Sequence, residues 1–99
     1  QVDRPAAMNP EFPLEPTYPD SLKSARTGGS AIVEFVVDQE GRVETETISV
    51  VMASHPAFGR AARDAAFSVR FVPALFHGGP VRQIVQLPVQ FQLANGRKD

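Results

Sequence analysis

Apolar and polar residues alternate along residues 81–93. Val81, Val85, Leu87, Val89, Phe91 and Leu93 fall on odd positions, with Arg82, Gln86, Gln90 and Gln92 between them. This period of two predicts a half-buried strand. Pro88 lies at its centre and has no N–H to give to a ladder, so the strand reads as an edge strand. A second alternating run, Ala31, Val33, Phe35 and Val37, leads into DQEG, with Gly41 at the left-handed turn position and a return strand from Arg42. That is a hairpin pattern. In the return strand Val43 is odd while Ile48 and Val50 are even, and the change of parity predicts a bulge or strong twist at 44–47. From Ser54 the period becomes helical. Phe58, Ala62, Ala65, Ala66 and Val69 form a narrow stripe, Pro56 suits a first turn, and Arg60, Arg63 and Asp64 take the other side. The helix should end around Arg70, ahead of Phe71-Val72-Pro73. Upstream, Asp20 or Ser21 can cap a helix of about two turns that uses Leu22 and Ala25, with Gly28 as its stop. A loop through His77, Gly78 and Gly79 leads into the last strand.

The order short helix, strand, strand, longer helix, strand predicts an α+β fold with two helices on one face of a three-stranded antiparallel sheet. A helical crossover would make the second and last strands a parallel pair. Placing the last strand against the first keeps every pair antiparallel and gives the order 2-1-3, with the last strand at an edge. Because N–H groups alternate sides along a strand, Gln86, Pro88 and Gln90 should all face the unpaired side.

Composition narrows the function. Ninety-nine residues, 42% of them hydrophobic, support one small core. The net charge is −1 and the ten basic residues are scattered, so no cationic face exists for nucleic acid. There is no cysteine and no apolar run of about 20 residues, so thiolate chemistry and a membrane-spanning helix are excluded from this stretch. The start at Gln1 leads to the expectation that targeting or anchoring segments lie elsewhere. Five of the nine prolines fall within residues 1–19, a linker composition. His55 and His77 lack the spacing of metal ligands, and Glu44 with Glu46 has neither a histidine partner nor a calcium loop. The glycine pairs at 28–29 and 78–79 follow no phosphate-loop pattern. Catalytic residues, metal and cofactor are therefore all expected to be absent. What remains is one free strand edge, which is either blunted or a place where another chain adds a strand.

The motifs then add up. Tyr18-Pro19 precedes the short helix, Gly29 the first strand, and Val37-Asp38 with Gly41-Arg42-Val43 forms the hairpin. Ser54 to Phe58 opens the second helix, Arg70-Phe71 and Pro73-Ala74 follow it, and Gly79-Pro80-Val81 leads into a last strand ending in Phe91 and Leu93. In this order, over residues 17–93, the chain resembles the C-terminal domain of TonB-type energy transducers. The resemblance implies residues 1–16 as the end of a proline-rich linker, 17–95 as the domain and 96–99 as a polar tail. It implies a periplasmic module of a protein anchored in the inner membrane, which takes force from a proton-driven motor complex through segments not present here. It further implies strand pairing with the TonB-box peptide of outer-membrane transporters. The partner-binding residues it implies are Gln83, Ile84, Val85, Gln86, Leu87, Pro88, Val89, Gln90, Phe91 and Gln92 on the last strand, with Thr17 and Tyr18 as a second contact. Thr17 stands where the best-known members carry glutamine.

Two other readings stay open. The free edge and proline-rich arm could pair between copies as a strand-exchanged homodimer, or residues 9–17 could fold back over the edge of their own domain. Alternatively the domain only positions a neighbour in a sensor or peptidase-type protein.

Overall fold

The structure, a computed structural model, describes residues 2–93. The expected tail at 96–99 and the last two positions of the 17–95 domain lie outside the described residues. The elements run β1 (Ala7–Met8), α1 (Asp20–Ser24), β2 (Gly29–Val37), a 3-10 turn (Thr45–Thr47), β3 (Ser49–Ala53), α2 (Pro56–Ala65), β4 (Phe71–Val72), β5 (Ala74–Phe76), β6 (Gly79–Val81) and β7 (Gln83–Phe91). Two helices and antiparallel strands are present as the sequence pattern predicts. The expected single sheet, however, is joined by two small ones: β3-β2-β7 forms the main sheet, and β1-β4 and β5-β6 are separate pairs.

β2 is central because both its edges are paired and its odd-numbered face is buried. Ala31, Val33, Phe35 and Val37 are fully or almost fully buried, and beneath them lie Phe58, Ala62, Ala66 and Val69, the stripe read from the sequence. Alanines at the contact let α2 lie close to the sheet. At Gly59 of α2 an added Cβ would stand 3.1 Å from a Val50 methyl of β3. At roughly 25 cal/mol per Å² of apolar surface, each large side chain here contributes about 1.5–3 kcal/mol of burial.

Several boundaries differ from the sequence pattern, each for a local reason. α1 is ended by Arg26, not Gly28: Arg26 takes φ 56°, Thr27 N–H donates to Leu22 O (2.9 Å) and Arg26 N–H to Lys23 O (3.0 Å). This pair of bonds defines a Schellman termination. The irregularity at 44–47 is a 3-10 turn closed by Thr47, whose hydroxyl donates to Glu44 O and accepts from Val36 N–H. A separate register shift falls opposite Ile32 and Val33, leaving Val51 as the extra residue of β3. α2 starts at Pro56 and stops at Ala65 rather than near Arg70. Its last bonds tighten to Phe67 N–H on Asp64 O and Ser68 N–H on Ala65 O, and Val69 still reaches the core from the turn beyond. The segment at 77–79, read as a loop, is the turn of a hairpin between β5 and β6, with His77 at φ 52° and Gly78 at φ 79°. Two successive positive φ values give the turn whose twist matches paired strands.

The arm before α1 is bound to the domain. Asp3 and Arg4 N–H groups donate to Leu75 O, Leu75 N–H donates to Arg4 O, Asn9 N–H donates to Arg70 O, and Ala7 and Met8 pair with Val72 and Phe71. On its other side the same segment meets the β2 turn, where Phe71 N–H donates to Gly41 O at 2.8 Å. Residues 70–72 are thus gripped from both sides.

Candidate functional site

The outer edge of β7 is defined by which peptide groups of β2 face which neighbour. Ser54 N–H donates to Ser30 O, Glu44 N–H donates to Val36 O, and Val36 N–H donates to the Thr47 hydroxyl, so even-numbered residues of β2 present their peptides to the β3 side. By alternation Ala31, Val33 and Phe35 face β7, where they lie opposite Val89, Leu87 and Val85. The ladder of β7 is therefore carried by its odd-numbered residues. Ile84, Gln86, Pro88 and Gln90 point their peptide groups away from the sheet, leaving three N–H donors and four carbonyls in a row. Pro88 lies on the side where its missing donor costs the ladder nothing.

Side chains follow the same alternation. Val89 and Phe91 are buried and Val85 and Leu87 half-buried on the helix side, while Ile84, Gln86, Pro88 and Gln90 are exposed on the open face. There, Gln86 Nε2 donates to Glu34 Oε2 at 2.9 Å, and Ile32 lies between Met52 and Pro88 in one row across the three strands.

Each end of the edge strand is fastened. At its start Arg82 grips Glu44 with two bonds, Nε to Oε2 at 2.7 Å and Nη2 to Oε1 at 2.8 Å. The Arg82 hydrogen bond holds the Glu44 carboxyl below the usual carboxylate range against an opposing desolvation, and Glu44 in turn raises Arg82. Gln83 Oε1 accepts the Ala6 N–H of the arm at 2.7 Å. At the far end Phe91 stacks on Phe58 with centroids 4.5 Å apart, and Tyr18 meets both rings edge-on at 5.7 Å. The Tyr18 hydroxyl donates to Thr27 O at 2.5 Å, tying the chain ahead of α1 to the chain that follows it while the ring packs on Phe91.

The structure thus places Gln83 to Phe91 on one continuous strand and brings Tyr18 to its end, with Thr17 exposed beside Tyr18 and Gln92 exposed just past the strand. Gln83 is half-buried, and its side chain is engaged by the arm. The arm and the Glu44–Arg82 pair were missed from the sequence. Pairing of an arm with β4 has no local signature, and Glu44 and Arg82 are 38 positions apart. Neither histidine faces a site. His55 Nδ1 accepts Ala57 N–H as the cap of α2, and His77 N–H donates to an Asp3 carboxylate oxygen at 2.6 Å. Among the described residues no cluster of metal ligands, no enclosed pocket and no helix long and apolar enough to cross a membrane is found.

Among the described residues the outer edge of β7 has no strand partner. The sequence profile of the Gram-negative bacterial TonB protein C-terminal family matches residues 14–93. The solution NMR structure of the Pseudomonas aeruginosa TonB C-terminal domain superposes with a TM-score of 0.71 at 24% identity, covering 96% of this chain and 93% of that chain. Comparison with curated protein sequences returns no match. The chain therefore belongs to the TonB C-terminal domain family. It is a transducer-type interaction domain rather than an enzyme, of a family whose members in general are anchored in the inner membrane, work in the periplasm and contact outer-membrane transporters.

Proposed function

We propose that this domain binds an extended peptide, the TonB box of an outer-membrane transporter, as a fourth strand on the outer edge of β7. On this reading it passes on force delivered from an inner-membrane, proton-driven motor. The observation that carries the proposal is the row of outward peptide groups at Ile84, Gln86, Pro88 and Gln90 on a strand fixed at both ends. Backbone bonds of about 1 kcal/mol net each, offset in part by ordering the peptide, point to an affinity on the order of micromolar. A strand pulled along its own axis loads such bonds together, so a readily reversible contact can hold force briefly. Thr17 and Tyr18 supply the second contact near Phe91, Thr17 by its exposed side chain and Tyr18 chiefly by fixing the backbone.

The test is titration of isotope-labelled domain with a transporter-derived TonB-box peptide. Binding at the edge moves and protects the amides of Ile84, Gln86 and Gln90. Shifts confined to β3 or the arm would overturn the reading.

A further inference from the structure

Among the described residues that form β2, β3 and β7, Glu34 alone is charged. It stands on the open face of the sheet, opposite Ser49 on β3 and Gln86 on β7. Among the described residues its carboxylate forms no ion pair, and its partner is neutral: Gln86 Nε2 donates to Glu34 Oε2 at 2.9 Å. A carboxylate oxygen only accepts, so the Gln86 amide has to give its nitrogen to Glu34. The amide oxygen, its one acceptor, is left without a donor among the described residues.

The neighbouring rows on the same face are apolar. Met52, Ile32 and Pro88 form one, and Val36 with Ile84 forms the other. Ile84, at 66%, is the most exposed large apolar side chain among the described residues. Along its outer edge the open face thus presents Ile84, Gln86 and Pro88 in succession, apolar, polar, apolar. A strand added there places alternate side chains in the same rows, with Cβ atoms about 5 Å from those of β7. The succession reads the same from either end, so it holds for both directions of the peptide.

We infer, resting on strand addition at β7, that Glu34 is a positioning residue for peptide choice. Through Gln86 it selects a peptide with a hydrogen-bond donor, best a lysine or arginine, beside Gln86, and apolar side chains two residues away on each side. A lysine there donates to Gln86 Oε1 and lies in the same row as the Glu34 charge. A serine or threonine donates without the charge. An aspartate or glutamate can bond only the second Nε2 hydrogen, which brings two carboxylates to one amide nitrogen. Opposite charges in one cross-strand row stabilise it and like charges destabilise it.

The test is a positional scan. A transporter-derived TonB-box peptide is made with Lys and, separately, with Glu at each position in turn. Affinity is measured for the parent domain, Glu34→Gln and Glu34→Lys, and protection of the Gln86 and Gln90 amides is read in the parent complex. At one interior position the Lys peptide is expected to bind about fivefold more tightly than the Glu peptide. Glu34→Gln levels the two and Glu34→Lys reverses their order at that position, with the other positions unchanged, whereas a merely structural Glu34 would weaken all peptides alike. A Lys preference that survives Glu34→Lys, or no preference at any position while the two amides are protected, overturns this role of Glu34 and leaves strand addition standing. Peptides that bind without protecting those amides overturn strand addition itself, and the role of Glu34 with it.

Discussion

The amide of Ala6 donates to the side-chain carbonyl of Gln83 at 2.7 Å, joining positions 77 residues apart. This bond ties the arm to the first residue of the edge strand. Gln83→Ala removes one neutral hydrogen bond, about 1 kcal/mol net. The expected result is a roughly fivefold faster amide exchange at residues 7–9 with the denaturation midpoint almost unmoved, since the arm opens without the core. Hydrogen exchange followed by NMR checks it, and equal acceleration in β2 would mean that the bond supports the whole fold.

Pro88 marks the outer side of β7, and a partner strand must do without one donor there. Pro88→Val restores it. Peptide affinity should rise by about fivefold, the equivalent of one bond of about 1 kcal/mol, or the variant should self-associate through the completed edge. Calorimetry with sedimentation distinguishes the two outcomes; no change in either would refute this assignment of the proline.

Gly41 has φ +87°, its carbonyl accepts Phe71 N–H, and an added Cβ would overlap the Phe71 carbonyl oxygen. Backbone strain and overlap together put Gly41→Ala at a loss of about 3 kcal/mol. Urea denaturation measures it. A loss under about 1 kcal/mol would show that the turn and residues 70–72 are not rigidly joined.

Glu44 is bonded to Arg82 and its carboxyl titrates lower in the fold than the ordinary value of 4.5. A lowered folded value means that the contribution is present above the unfolded pKa and is lost as pH falls through the folded one. Glu44→Gln should therefore narrow its stability gap to the parent as pH falls from 5 to 3. Arg82, raised by the same bond, stays charged throughout and adds no slope in this range.

Much of this was legible in the sequence because it is periodic. The alternation at Ala31 to Val37, the stripe from Phe58 to Val69 and the parity of Val85 to Phe91 each announce the face that is buried. What was not legible lies in long-range backbone pairing. Residues 3–9 look like linker because strand pairing through peptide groups needs no particular side chains, and Pro5 falls within the stretch, between the Arg4 bridge and the Ala7–Met8 pair. Arg26 at positive φ was hidden by the nearby glycines, although the Schellman bonds it closes repay its strain. His77-Gly78 carried a hairpin signal in the glycine alone, which a flanking second glycine obscured. For the candidate site, the edge follows from Pro88 and alternation, while the fastenings by Gln83, Arg82 and Tyr18 require the fold.

The most direct test of strand addition is isotope-edited NMR of the domain with a saturating TonB-box peptide, observing hydrogen-bond protection and cross-strand contacts at β7. The account predicts new protection at Ile84, Gln86 and Gln90, contacts from the peptide to both faces of β7, and unchanged protection at Val85, Leu87 and Val89, which already bond to β2. Peptide contacts at the β3 edge, with the β7 even-numbered amides still exchanging freely, would contradict it.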